Sequence, residues 1–477
     1  MTAPGEDPGA VHSERPDTLE SEGPPPLTAN LYDPRDATYF DPDAARAERD
    51  RTFQVCSDCR VCVRLCPSFK DLFRMIDERD DGASDVSFVS DTQHRQVVDE
   101  CYQCKLCYVV CPYTPEQGQE WRIDFPRLML RSLAIQGNEG GVGKNARLLA
   151  RTDLQGKVAT TFAPVVNPTM KIAPVRRVME KVTGIAADRL LPTYPRERFS
   201  KWFRRRPQPS THGRAAKAAL FATCLVEYQE PAIGKAVVGV CEHNGIECSL
   251  PDGLVCCGMP WLDAGDVGRF EEQARRNVAA LAPAVREGRT VVVPQPTCAY
   301  VLKKEYPDFL GTEDARLVAE HTRDASEFLM EQHRAESLDT EFTGRTYDTI
   351  TWHAACHARA QQMGPKSRDL MALTGAEVNV VERCSAIDGT WGLRAENVDM
   401  ARKIARPLME AVRSAGSELV TGDCHLANTA IREATNRVPV HPVQVLARAY
   451  GIEDGAAPRD EKPGEATPPV MEREEAR

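Results

Sequence analysis

Long apolar runs are missing from this sequence of 477 residues. No uninterrupted stretch approaches the ~18 residues that a spanning helix requires, which excludes a chain threaded through a bilayer by helices. The first twenty residues carry Glu6, Asp7, Glu14 and Asp17 and lack the apolar segment of a secretory signal. A cytoplasmic protein is expected, touching the inner face of the cell membrane at most peripherally. A basic excess is absent too: 60 Lys and Arg stand against 70 Asp and Glu, for a net charge of −10. Phosphate binding needs a cationic surface, so nucleic acid is not an expected partner. Nucleotide motifs also fail. GGVGKN (140–145) has no glycine five residues before Gly143 and places Asn145 where a phosphate loop needs Ser or Thr. No G-x-G-x-x-G follows a strand pattern, so no flavin or nicotinamide site is read. Both chain ends are rich in Pro, Gly, Ser and acids. Residues 1–45 read as an acidic leader and 453–477 as a tail, too polar to offset ordering entropy, and both are expected to be disordered.

Cysteine is what the chain has in excess, with 17 residues. In a reducing compartment, regularly spaced thiols ligate metal rather than pair as disulfides. Residues 56–67 read CSDCRVCVRLCP and residues 101–112 read CYQCKLCYVVCP. Each is C-x2-C-x2-C-x3-C-P, in which three thiolates wrap one cubane and the fourth ligates the other cluster. By that rule Cys56, Cys59, Cys62 and Cys111 hold one [4Fe–4S] cluster, and Cys101, Cys104, Cys107 and Cys66 hold a second. The bland alternative is structural zinc, which uses paired C-x2-C knuckles rather than three cysteines in a row. The stretch between the motifs includes the helix-forming FKDLFRMIDERDD. This region, 46–135, resembles the helical ferredoxin domain of succinate dehydrogenase-type iron–sulfur subunits.

Residues 136–212 read as a linker with no sheet pattern. Within it, RERFSKWFRRR (196–206) combines cations with Phe199, Trp202 and Phe203. Three readings stay open: a lipid interface, where rings sit at headgroup depth beside cations; a linker whose rings pack on a neighbouring domain; or a docking patch for a partner subunit.

From about 213 onward the pattern changes. AALFATC (218–224), GIECSL (245–250) and TVVVPQ (290–295) read as strands, as do YDTITW (347–352), AEVNVV (376–381) and ELVTG (418–422). Helical stretches lie between them, giving β-α-β-α-β twice. The expected fold is therefore α plus α/β: a helical two-cluster ferredoxin domain followed by two duplicated parallel units, 213–335 and 336–452. Cysteines recur at matching strand ends: Cys224, Cys256–Cys257 and Cys298 in the first unit, Cys356, Cys384 and Cys424 in the second. Strand carboxyl ends are where parallel sheets build sites, so a duplicated metal site is the economical reading.

These cysteines, with Gly258 after the pair, PTC at 296–298, HAACH at 353–357, DGTWG at 388–392 and DCH at 423–425, resemble the CCG-domain family of heterodisulfide reductase-related iron–sulfur proteins. A helical ferredoxin joined to two such domains is similar to the C subunits of anaerobic glycerol-3-phosphate dehydrogenases. The resemblance implies an opening cysteine, a Cys-Cys pair and a closing C-x-x-C in each unit. This chain departs from that pattern. Gln295 replaces the first closing cysteine, leaving Cys224, Cys256, Cys257 and Cys298, enough for a third cluster. Ser385 and Ala427 replace two more, so the second unit keeps only three thiols. Those three could hold a site-differentiated or three-iron cluster, a zinc completed by His357 or His425, or nothing.

The resemblance implies an electron-transfer subunit rather than a stand-alone enzyme. Its donor would be a flavoprotein dehydrogenase, and its acceptor a quinone or another redox protein. A second reading is a catalytic heterodisulfide reductase using a cluster in the first unit. A third is a non-redox scaffold with a sensing ferredoxin domain.

Overall fold

Short capped helices build the first part of the chain. The computed structural model describes residues 32–78, 86–118, 120–207, 216–387 and 389–452. The expected tail 453–477 and residues 1–31 of the expected leader lie outside them. Asp41 starts the helix Pro42–Cys59 by accepting from the amides of Asp43 and Ala44 at 2.9 and 3.2 Å. Pro67, directly after Cys66, opens Pro67–Asp77, where its missing N–H costs nothing. Ser90 and Gln93 form a capping box on Asp91–Asp99. These helices pack with Phe125–Gly140 around Phe53, Phe69, Leu72, Leu128 and Met129. Residues 32–45 of the expected leader are part of this packing, which corrects the reading of them as disordered. Tyr39 is only 2% exposed, and Arg131 donates to the carbonyls of Tyr39 and Thr38 at 2.7 and 2.6 Å.

The linker is helical, with Lys144–Ala150, Thr152–Thr161, Ala163–Thr169, Ala173–Thr183 and Phe199–Arg205. It reaches both α/β units. Arg189 pairs with Glu433 at 2.6 Å, while Phe199 and Phe203 sink to 0% and 6% exposure against Val226, Ile233 and Val237. Cations of the 196–206 stretch are engaged as well: Arg206 bonds Glu242 at 2.9 Å and Arg204 bonds Asp252 at 2.9 Å. Phe199 and Phe203 face inward, so packing, not lipid contact, explains them.

Two all-parallel sheets follow. Strands β1 (Lys217–Leu220), β2 (Glu247–Ser249), β3 (Thr290–Val293) and β4 (Thr322–Asp324) pair in the order β2-β1-β3-β4. Strands β5 (Thr349–His353), β6 (Glu377–Val381) and β7 (Leu419–Gly422) pair as β6-β5-β7. In both units the first strand is central and the second lies on one edge, as a duplication demands. Strand β4 was not anticipated, because Thr-Arg-Asp has no apolar run. Its Asp324 serves instead as cap of the helix Ala325–Arg334. The second unit keeps a trace of the same feature, a lone parallel bridge between Thr421 and Val440. Among the described residues no helix is long and apolar enough to cross a membrane.

The ferredoxin part presses on the first unit where Gly137 of the helix Phe125–Gly140 meets Gly265. A Cβ at Gly265, whose φ is +79°, would stand 2.3 Å from the carbonyl oxygen of Leu133. Only glycine allows that crossing.

Truncating Phe199 to Ala is expected to cost about 3 kcal/mol, the usual penalty for emptying a closed aromatic site. An anaerobic denaturant titration would read it, and a change below about 1 kcal/mol would contradict the packing account.

Candidate metal centres

Both cysteine loops turn on the same unusual residue. Arg60, after Cys59, and Lys105, after Cys104, take left-handed φ values of 54° and 64°. Such residues are costly outside glycine and persist where a site holds them. The turns bring sulfurs together across the motifs. Burial pushes the Cys56 thiol up, and so do the neighbouring sulfurs of Cys62, Cys111 and Cys59. Cys62 is pushed up to about 12 by burial and by Cys111 and Cys59. In the other loop, burial and Cys101 raise Cys66 to about 12, and Cys107 is raised by burial and by Cys104, Cys101 and Cys66. Cys111 thus lies with the first motif's triplet and Cys66 with the second's. The two sets touch where Cys62 Sγ comes 3.9 Å from the Cys107 carbonyl.

In the first α/β unit the sulfurs form a chain. Cys224 is within hydrogen-bond reach of Cys256, Cys256 of Cys257, and Cys257 of Cys298. The backbone is bent to suit: Thr223 has φ 51°, and Gly258 has φ +92° with Phe270 where a Cβ would go. Polar groups fix the peptide carrying the pair. Tyr306 donates to the Cys257 carbonyl at 2.9 Å, Asn277 donates to the Cys256 carbonyl at 3.1 Å, and Asp153 accepts from the Cys256 amide at 2.9 Å. Asp153 comes from a linker helix and had no signal in the sequence. Burial and the Cys256 sulfur hold its carboxyl above the usual range.

In the second unit Cys356, Cys384 and Cys424 line one partly open cavity. Its wall also includes Tyr102 and Cys104 from the second ferredoxin loop, Thr297 from the first unit, and His353 and His357. The Tyr102 hydroxyl lies 3.4 Å from Cys384 Sγ, and Trp391 packs on Tyr102 with ring centroids 5.1 Å apart. His357 Nδ1 is 3.2 Å from the Thr297 hydroxyl and 3.9 Å from Cys356 Sγ. His425, the other anticipated imidazole, is 9% exposed and is not part of the cavity wall. Burial holds His353 down at about 4 and so keeps it neutral.

Among the described residues no three His, Cys, Asp or Glu side chains converge closely enough to hold one metal ion. A cubane distributes its thiolates over a larger body, and sets made of sulfur alone suit iron. The residues fit iron–sulfur clusters.

Comparison with known proteins agrees. The cysteine-rich CCG domain matches residues 218–303 and 350–431, and a 4Fe-4S dicluster domain matches 52–126. Lactate utilization protein A of Geobacillus thermodenitrificans is 31% identical over 189 residues, 37% of this chain and 75% of that protein. This chain belongs to the CCG iron–sulfur family. The C subunit of the anaerobic glycerol-3-phosphate dehydrogenase of Escherichia coli is 29% identical over 311 residues, 63% of this chain and 76% of that protein. The B subunit of the fumarate reductase (CoM/CoB) of Methanothermobacter marburgensis is 27% identical over 235 residues, 48% of this chain and 45% of its own. The chain is an iron–sulfur electron-transfer protein with a ferredoxin-type domain and two CCG units.

One polar feature of this CCG protein has no counterpart in the cysteine pattern. Lys105, inside the second ferredoxin loop, is buried and lies 3.4 Å from Glu305, which is 0% exposed. Arg127 reaches the same carboxylate at 3.7 Å, and Gln103 accepts from Lys105 at 2.7 Å. Glu305 ends the π-turn Val301–Glu305, which continues the Cys298 helix Pro296–Tyr300. The pair therefore ties the second ferredoxin loop to the first CCG unit. Burial pushes the Glu305 carboxyl up, but Lys105 and Arg127 outweigh it and hold it below the usual carboxylate range.

Glu305→Gln would leave Lys105 buried without its counter-charge and is expected to cost about 3–5 kcal/mol. Because the folded carboxyl is held low, its stabilisation is present above the ordinary value, about pH 4.3, and is lost as the pH falls through the folded value. Stability profiles between pH 7 and pH 3 should therefore fall less steeply in the variant than in the parent; parallel profiles would contradict the account.

Proposed function

We propose that this chain relays electrons between a flavoprotein-type dehydrogenase and a quinone or second redox protein. In this reading Cys56, Cys59, Cys62 and Cys111 hold one cluster, Cys101, Cys104, Cys107 and Cys66 a second, and Cys224, Cys256, Cys257 and Cys298 a third. When bound, such clusters supply one-electron transfer at potentials set by their ligands, hydrogen bonds and exposure. The observation that carries the reading is the exchange of Cys66 and Cys111 between motifs. It links the two sets through the chain itself. The protein's own part is to hold the sulfurs, shield them from water and order the peptides around them, as Tyr306, Asn277 and Asp153 do for the first unit.

Catalytic disulfide reduction is the weaker reading. Gln295 fills the position of the missing closing cysteine and is 1% exposed, so no fifth thiol stands at the closing position of the first unit.

Contact with a quinone-bearing membrane is supported by the linker helices. Thr152–Thr161 exposes Leu154 and Val158, Ala173–Thr183 exposes Val178 and Val182, and Phe162 and Val165 stand out between them at 58% and 65% exposure. Lys157, Lys171, Arg177 and Lys181 are exposed beside them. Rings and aliphatic groups flanked by cations suit an anionic bilayer surface.

Two measurements test these assignments. In anaerobically prepared protein, Cys66→Ser is expected to remove about four iron and to spoil the set containing Cys101, Cys104 and Cys107, while Cys257→Ser removes about four iron from the first CCG unit. Unchanged iron and an unchanged EPR spectrum in both variants would overturn the ligand sets. Flotation with vesicles of anionic lipid should capture the parent, and Phe162→Ser with Val165→Ser should weaken capture severalfold. Equal capture would remove the membrane reading without touching the relay.

A further inference from the structure

The second CCG unit is short of one ligand, and the structure supplies a candidate that its cysteine pattern does not. Cys356, Cys384 and Cys424 line a single cavity, and His353 lines it with them. His353 closes β5, the central strand of its sheet, and is 3% exposed. Its Nε2 lies 3.0 Å from the carbonyl oxygen of Arg383. A carbonyl can only accept, so Nε2 carries the ring proton and Nδ1 presents a lone pair. That Nδ1 is buried and has no hydrogen-bond partner. A buried, unpaired acceptor is costly unless something binds it. Metal-ligating imidazoles have this same arrangement, with one nitrogen on the metal and the other N–H donated to a carbonyl that fixes tautomer and tilt.

Of the other two imidazoles, His357 lines the same cavity. His357 has its Nδ1 against the Thr297 hydroxyl, and His425 is not part of the cavity wall. A single ion is a poor occupant, because no three ligating side chains converge on one point among the described residues.

We propose that Cys356, Cys384, Cys424 and His353 Nδ1 together hold an iron–sulfur cluster in the second CCG unit. This rests on the iron–sulfur reading of the chain given above. The site shares its cavity wall with Cys104 of the second ferredoxin loop, and Cys384 lies 3.4 Å from the Tyr102 hydroxyl. It also meets Thr297, the neighbour of Cys298. The cluster would therefore stand between the ferredoxin pair and the first CCG unit. Exchanging a thiolate for a neutral imidazole removes one negative charge, which favours the reduced state. This station titrates at a higher potential than the all-cysteine ones.

The test is pulsed EPR on anaerobically purified, stepwise reduced protein, together with iron counts. The parent is expected to show nitrogen hyperfine coupling from an imidazole on the cluster that reduces first. His353→Ala should abolish that coupling and lower iron by about four. His353→Cys, which restores a fourth thiolate, should keep the iron, lose the coupling and shift that cluster to lower potential. This second variant guards against a simple folding defect in the first. Absence of coupling in the parent, its persistence in His353→Ala, or its loss in His357→Ala with retention in His353→Ala would overturn the proposal. Failure of the underlying reading looks different, since the parent itself would then carry no iron and Cys66→Ser and Cys257→Ser would change nothing.

Discussion

Exchange of one cysteine between two loops is the constraint on which the rest of the molecule is arranged. For Cys111 to lie with Cys56, Cys59 and Cys62, and for Cys66 to lie with Cys101, Cys104 and Cys107, the two motifs must face each other. Helices then have to leave each loop at once and fold back. Pro67 does this directly after Cys66, and the core of Phe53, Phe69 and Leu128 closes the gap behind. Many thiols are thereby crowded into low-dielectric surroundings, where burial resists their ionisation and a cationic iron cluster would favour it. The backbone strain at Arg60 and Lys105 has the same origin.

The second ferredoxin loop is the point where all three parts of the chain meet. Tyr102 and Cys104 face the cavity of the second CCG unit, while Lys105, the next residue, is locked to Glu305 behind the Cys298 helix of the first. A buried ion pair is a poor source of net stability, since desolvation takes back most of the Coulombic gain. Its geometric effect is larger. With Lys105 held by Glu305 and Gln103, and Glu305 also facing Arg127, the loop cannot shift relative to the first unit without stranding a charge. Rigid spacing is what a chain of redox centres needs, and here polar contacts help to provide it.

Much of this was legible in the sequence because sulfur chemistry is specific in spacing. The eight ferredoxin cysteines and the matched cysteines of the duplicated units could be read from their intervals, and six strands from β-branched runs. What escaped was carried by residues without a pattern. Strand β4 is three polar residues whose pairing is decided by the neighbouring sheet edge. Asp153 reaches the Cys256 amide from a helix about a hundred positions earlier in the chain, and nothing in Thr152–Thr161 marks it as part of a site. The aromatic–basic stretch 196–206 left three readings open because composition cannot tell a ring that faces lipid from one that faces a core; Phe199 took the second course. The apolar side chains that do face outward, Phe162 and Val165, lie in a segment with little aromatic content to draw notice.

The asymmetry between the duplicated units follows from where each stands. The first is joined to the ferredoxin part through Glu305 and Arg127 and keeps four sulfurs in a chain, none of them on the cavity wall shared with Cys104. The second abuts Cys104 itself. Two groups rich in thiolate placed side by side repel, and the repulsion grows in a low-dielectric interior. Loss of cysteine at Ser385 and Ala427 reduces that charge on the side where it would be felt most, and a neutral imidazole at His353 can donate a lone pair without restoring it.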